Sequence, residues 1–298
     1  MKKVLFSFVV LAAAAAMTAC GNKNAKNVEG QDSTAVAAEE AAPQMAPMGT
    51  WDYPEGSALA DAENISVLLY PHSWKKDIDA GKDPASDIAI YYNCNLVKAG
   101  DVQSTIKTLS DEYDIPNSLI IPIYKDATAK KGDIVLTWWQ NGSGMQRAIV
   151  VDAANPAEPK IHYLDLQFKG DGTGTAEKND NQTLKPNSFI VLKNGEWMPG
   201  NEIVVTDGTE QLFGIIINVA GDKVLYMGFG GKVKVAQKSD CTLLPLNPDI
   251  AVGQTVKANF VGKVRPDYKV KKVDAARGRV WLEKDGNEEI KSFLEIVK

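Results

Sequence analysis

Histidine is nearly missing from this chain of 298 residues, which has His72 and His162 only, and cysteine is scarce, at Cys20, Cys94 and Cys241. No His-Glu-x-x-His, no Cys-x-x-Cys and no clustered acidic calcium loop occurs, so a metal site lacks its usual ligands and no cofactor is expected. His72 follows Pro71 at the end of an apolar run, and His162 alternates with Ile161 and Tyr163. Both read as hydrogen-bonded structural residues. Tyr91-Tyr92-Asn93-Cys94-Asn95 has neither the helix start nor the flanking cation that activates a thiol. Asn141-Gly142-Ser143-Gly144 lacks the first glycine of a nucleophile elbow and reads as a hairpin turn. The glycine-rich stretches Asp171-Gly172-Thr173-Gly174-Thr175 and Gly228-Phe229-Gly230-Gly231 open no helix, which excludes a phosphate loop. With this machinery missing, the chain is expected not to be an enzyme.

Long apolar runs are confined to the N-terminus. Met1-Lys2-Lys3 is basic, residues 4–17 are apolar but too short and alanine-rich to span a membrane, and Thr18-Ala19 are small. That is a secretory signal peptide. Met17-Thr18-Ala19-Cys20-Gly21 resembles a bacterial lipobox, which implies cleavage before Cys20 and palmitate-type acylation of that residue. Gly21 in place of Asp points to the outer membrane of a Gram-negative envelope, and several acyl chains on one residue give stable anchoring. Removing residues 1–19 takes away two of the 33 basic side chains, leaving 31 against 38 acidic ones, or −7. This balance argues against nucleic-acid binding. Residues 20–50 are rich in Ala, Asn, Gln, Glu and Pro, with no aromatic, and read as a disordered tether; Asp32-Ser33-Thr34 within it resembles a bacterial O-glycosylation acceptor. Cys94 and Cys241 lie far apart in sequence and are read as two separate thiols.

The rest of the chain carries an internal repeat. Gly253 is followed by Val256, Ala258 and Phe260 at +3, +5 and +7, and the same pattern is laid over Gly132 (Val135, Thr137, Trp139) and Gly200 (Ile203, Val205). A second apolar run follows each glycine by about 15 residues, and a third comes soon after: Lys160-Ile161-His162-Tyr163-Leu164, Lys223-Val224-Leu225-Tyr226-Met227 and Arg279-Val280-Trp281-Leu282. A closing strand ends each unit. Pro116-Asn117-Ser118-Leu119-Ile120-Ile121 recurs as Pro186-Asn187-Ser188-Phe189-Ile190-Val191, with counterparts at Cys241 and Ser292. Four or five short strands in about 45 to 65 residues is the economy of a small β-barrel. The units are expected at 129–195, 196–248 and 249–298, after a divergent β-rich unit at 51–128 in which 101–113 is read as a short helix. The units, best at 251–298, resemble Tudor-like or SH3-like barrels. The period of two places Val256, Ala258 and Phe260 inside the last one. Ile134-Val135-Leu136-Thr137-Trp138-Trp139 is apolar on both faces, which predicts an all-β array of barrels packed together.

Charge supplies the candidate binding surface. Residues 251–298 hold 11 basic and 7 acidic side chains, whereas 51–250 hold 18 and 27. Lys263, Arg265, Lys269, Lys271, Arg277 and Arg279 are read as a basic face, with Trp138 and Trp281 as stacking platforms. The expected function is binding or scaffolding at the cell envelope, with an envelope protein or an anionic glycan as partner. The alternatives are a cell-wall glycan binder of bacterial SH3 type and an envelope hydrolase with its site in residues 51–128.

Overall fold

The computed structural model describes Leu59 and residues 65–71, 88–107, 112–139, 145–166 and 182–298, with backbone alone at 65–71, 88–93 and Tyr113. The lipobox at 17–21, Cys20, the 20–50 tether with Asp32-Ser33-Thr34, His72, the turn at 141–144 and the glycine-rich stretch at 171–175 lie outside the described residues. The protein is all-β. Its first unit comprises β1 (Ile65–Pro71), β2 (Ile88–Lys98), β3 (Gln103–Lys107), β4 (Glu112–Pro116) and β5 (Ile120–Ile123). The second comprises β6 (Ile134–Trp138), β7 (Met145–Asp152), β8 (Lys160–Tyr163), β9 (Gln182–Thr183) and β10 (Ile190–Val191). The third runs through β11 (Glu202–Asp207), β12 (Glu210–Ala220), β13 (Lys223–Gly228), β14 (Val233–Gln237) and β15 (Cys241–Leu243). The fourth has β16 (Thr255–Phe260), β17 (Lys263–Asp274), β18 (Arg279–Lys284), β19 (Asn287–Ser292) and β20 (Ile296–Val297). Each unit is wired alike: four strands form an antiparallel meander, and the fifth returns to pair with the first. Units 3 and 4 join into one sheet where Leu212 of β12 meets Lys263 of β17.

The repeat is written in the backbone as well as in the order of strands. Gly132, Gly200 and Gly253 take φ of 91°, 93° and 90°, a region an L side chain disfavours. Each points its N–H at a carbonyl in the second strand of its unit: Val150 at 2.8 Å, Ile216 at 2.9 Å and Val270 at 2.8 Å. The same three residues donate back to Asp133, Asn201 and Gln254. Immediately after each comes one extra residue, Val151, Ile217 or Lys271, that has no partner on the third strand. Val97 holds the corresponding place in unit 1. An extra residue bends its strand and increases the local twist, which curls the meander so that the fifth strand can reach the first.

Curling gives each unit an inner face and leaves an outer one to be covered. In unit 2 the inner core gathers Val135, Ala148, Val150, Ile161, Tyr163 and Phe189; in unit 3 Ile203, Val205, Ile216, Val224 and Tyr226; in unit 4 Val256, Ala258, Tyr268, Val270, Val280 and Leu282. The outer residues Ile134, Leu136 and Trp138 of unit 2 enter a separate shared core with Ile106, Leu119 and Ile121 of unit 1 and Ile217 and Leu225 of unit 3. The run that is apolar on both faces therefore packs against neighbouring units, as its pattern predicts. Asn218 Nδ2, beside the extra residue of unit 3, donates to the Ser118 carbonyl of unit 1 at 3.0 Å.

Two expectations fail. The helix read at 101–113 is instead β3 and the start of β4 among the described residues. Its apolar spacing is overridden by pairing with β2, and the buried Ser104 hydroxyl donates to Asn117 Oδ1 at 2.6 Å. Phe260 is not inside: it is 46% exposed, although Val256 and Ala258 are buried. It is paired with Lys263 at the last rung of its hairpin, where no further layer of core remains to receive it.

Replacing the opening glycines separates backbone strain from crowding. Gly253→Ala adds a methyl with nothing within 4 Å and is expected to cost only the backbone penalty, about 1–2 kcal/mol. At Gly200 the methyl would meet Leu192 Cδ2 at 2.9 Å and Leu136 Cβ at 3.2 Å, so Gly200→Ala should unfold at a lower urea concentration than Gly253→Ala. Equal midpoints would show that the crowding contributes nothing.

Candidate functional site

A concave feature lies where units 2, 3 and 4 meet. It is a half-open cavity of about 470 Å³ whose charged lining comes from Arg147 and Asp165, from Glu202, and from Arg279, Lys291 and Glu295. Phe213, Met227, Phe229, Leu164 and Ile290 supply apolar wall.

Arg147 is the residue the local sequence would not place there. In β7, Ala148 and Val150 face the inner core, so Arg147 and Ile149 face outward, and that outer face is covered by neighbouring units. A guanidinium only 4% exposed needs full compensation. Asp165, just after β8, accepts from Nε at 3.0 Å, from Nη2 at 2.7 Å and from the Arg147 backbone N–H at 2.7 Å. Nη1 donates to Glu202 Oε2 at the start of β11 and to the Gly200 carbonyl at 3.4 Å. Burial works against the Arg147 charge, yet the two carboxylates outweigh it and push the guanidinium above its ordinary range. Two carboxylates on one cation leave an excess of negative charge. Burial pushes the Glu202 carboxyl up to about 7; Arg147 pulls against this, and the negative charges of Asp165 and Glu295 add to the rise.

Arg279 closes the opposite wall. It opens β18 of unit 4 yet is 1% exposed, because it reaches across to unit 2, where Nη2 donates to the Tyr163 and Leu164 carbonyls, the latter at 2.9 Å. Its Nε lies 3.4 Å from His162 Nε2, so that buried histidine accepts a hydrogen bond from it. Lys291 of β19 is held by Glu289 at 3.2 Å and Glu295 at 3.8 Å. The Glu295 carboxylate also caps the last 3-10 turn, accepting from the Ser292 N–H at 2.9 Å. Phe229 sits at the tip of the β13–β14 connection, 65% exposed at the cavity mouth.

The basic residues singled out in the sequence do not form one face. Arg279 alone lines the cavity. Lys263 pairs with Glu210 across the seam of units 3 and 4, and Arg265 lies in a separate shallow cleft with Phe260 and Tyr268. Lys269 and Lys271 are exposed on β17, with Lys271 4.0 Å from Glu283, and Arg277 turns back on Asp274 at 3.3 Å. Trp138 and Trp281 are each 5% exposed, one in the shared core and the other beneath Lys272, whose Nζ lies 4.0 Å from the ring centre. A stacking platform needs an open ring face, and burial removes it from both. Cys94 is buried in the shared core and Cys241 is half-buried; the two do not form a disulfide, and burial pushes each thiol up to about 11, with Asp240 adding to the rise at Cys241. Among the described residues, no group of three or more His, Cys, Asp or Glu is placed to hold a metal ion.

Sequence reasoning missed Arg147, Asp165, Glu202, Phe229, Lys291 and Glu295. One signal was present: aligned on the opening glycines, Glu202 stands where unit 2 has Ile134, a charge at a position whose counterpart is apolar and buried.

The raised Glu202 carboxyl gives a signed pH dependence. The folded protein holds this proton more tightly than the unfolded chain, so its contribution is complete below the ordinary glutamate range and is lost as pH rises towards 7. Wild-type stability should therefore fall between about pH 4.5 and pH 7.5 relative to Glu202→Gln, by on the order of 2–3 kcal/mol. Urea titrations of both proteins at the two pH values measure it; parallel pH profiles would place the Glu202 proton elsewhere. Comparison with protein-family models and with curated proteins finds no match for this chain.

Proposed function

We propose that the protein is a lipid-anchored binding protein of the cell envelope, built from SH3-like or Tudor-like units and without catalytic activity. The observation that carries this reading is the junction cavity. Its charged groups are held in place by ion pairs and hydrogen bonds from three units, which is the preorganisation a binding pocket requires. The Cys94 thiol, raised by burial, is poorly suited to nucleophilic attack, which counts against a hydrolase. The lipobox supports attachment of the chain through acyl groups on Cys20 to the outer membrane, with the 20–50 tether setting its reach.

Replacing Cys20 by Ala should abolish labelling by radioactive palmitate and move the protein out of the membrane pellet; retention in the pellet after a salt wash would overturn the anchoring. Binding is tested through the cavity. Gly228 lines it, and a Cβ there meets only ordinary contacts, the nearest at 3.7 Å, so Gly228→Trp attaches without a clash at Cβ and adds bulk at the cavity wall. Immobilised wild-type protein should retain an envelope component that Gly228→Trp loses. Equal retention by both would remove the cavity from the function.

A further inference from the structure

The cavity mouth displays a large apolar side chain beside buried ionic pairs. Phe229 is two-thirds exposed, and its Cβ lies against Gly262, where an added methyl would come within 2.3 Å of it. A glycine at 262 is thus what lets the ring sit where it does. A smaller cavity of about 150 Å³ shares Phe213, Gly228, Phe229 and Gly262 with the first and extends to Val261. Val261 is 57% exposed and has φ of 52°, a left-handed conformation that a β-branched residue adopts only under strain and that the hairpin turn would fill more easily with Asn or Gly. An unfavourable backbone that presents an isopropyl group to solvent beside an exposed ring is the pattern of a contact surface.

The interior complements this lip. Cationic Arg147, Arg279 and Lys291 face acidic Asp165, Glu202 and Glu295, three of each sign, so the site offers no strong net field to an ion. Donors and acceptors nevertheless stand side by side with part of their surface open: the side chains of Asp165, Lys291 and Glu295 are 22%, 16% and 29% exposed. A neutral ring bearing adjacent hydroxyls uses both kinds of partner, because each hydroxyl donates one hydrogen bond and accepts others. The apolar face of such a ring is suited to an aromatic platform. A volume near 470 Å³ is in the range of small-molecule sites, about 300–1,000 Å³.

We propose that the junction cavity binds a neutral saccharide, its ring stacked on Phe229 and its hydroxyls shared among Asp165, Lys291 and Glu295. This rests on the binding reading above and names its ligand class.

The test uses the mature chain and NMR titration with glucose, cellobiose, N-acetylglucosamine and N,N′-diacetylchitobiose, with glucuronic acid as the anionic counterpart. At millimolar concentration a neutral sugar should shift the amides of Gly228, Phe229, Gly230 and Lys291. Phe229→Ala should weaken it by about tenfold or more, Phe229→Trp should restore it, and Phe260→Ala, outside the cavity, should leave it unchanged. Val261→Asn should raise the urea midpoint, because Asn adopts the left-handed turn conformation more easily. Within that result, a disaccharide that binds more tightly than its monosaccharide marks a glycan chain as the source, and equal binding marks a free sugar. Glucuronic acid bound far more tightly than glucose, undiminished binding by Phe229→Ala, or no amide shift with any neutral sugar would each overturn the saccharide assignment. Retention of an envelope component that Gly228→Trp loses would then still stand, so failure of the ligand class is distinguishable from failure of the binding reading.

Discussion

A guanidinium taken out of water where three units meet sets the terms for everything around it. Arg147 satisfies itself with a carboxylate from its own unit and another from the next, so separating units 2 and 3 breaks the second ion pair, and deleting either carboxylate alone would leave the cation short of a partner. Arg279 acts in the same sense between units 4 and 2, spending its donors on carbonyls at the end of β8. Both side chains are long and planar-headed, and each fixes an orientation between units that apolar contact alone leaves loose. The walls of the cavity are the by-product of that fixing.

The same arrangement answers a problem of size. A five-stranded unit of about 50 residues buries too little surface to be comfortable alone. Here each inner core is small, and the shared core recruits outer-face residues from several units, with Ile134, Leu136 and Trp138 beside Ile121 and Ile217. The exposed ends of the hairpins are where the pattern relaxes. Phe260, Val261 and Phe229 are all large, apolar and exposed, and two of the three border the cavities at the junction.

How far the sequence could be read depends on which physical scale wrote each feature. Strand patterns, opening glycines and closing strands are local, and the all-β class follows from them; the glycine at 132, 200 and 253 turned out to mark the same backbone hydrogen bond each time. The double-faced run at 134–139 disclosed packing between units because an apolar outer face has no other explanation. The helix expected at 101–113 failed because strand pairing overrode a short spacing match. The basic face failed because net charge within a segment says nothing about direction: Arg279 points into the protein, and Lys263 is taken by Glu210. The site itself is assembled from Arg147, Glu202 and Lys291, which lie in three different units, and a single chain without its fold gives no means of bringing them together.

The extra residue after Val150, Ile216 and Val270 has a meaning beyond curvature. It points away from the inner core, so its identity declares what the outside of that unit touches. Ile217 is buried and Val151 is half-buried in the middle of the array, whereas Val97 is 50% exposed in unit 1 and Lys271 is exposed in unit 4. A lysine at that spot gives unit 4 a solvated back, and a further copy laid there as unit 1 is laid on unit 3 would have to desolvate an ammonium. In a repeat architecture the outer face that meets water, not a neighbour, is the one that carries such a charge.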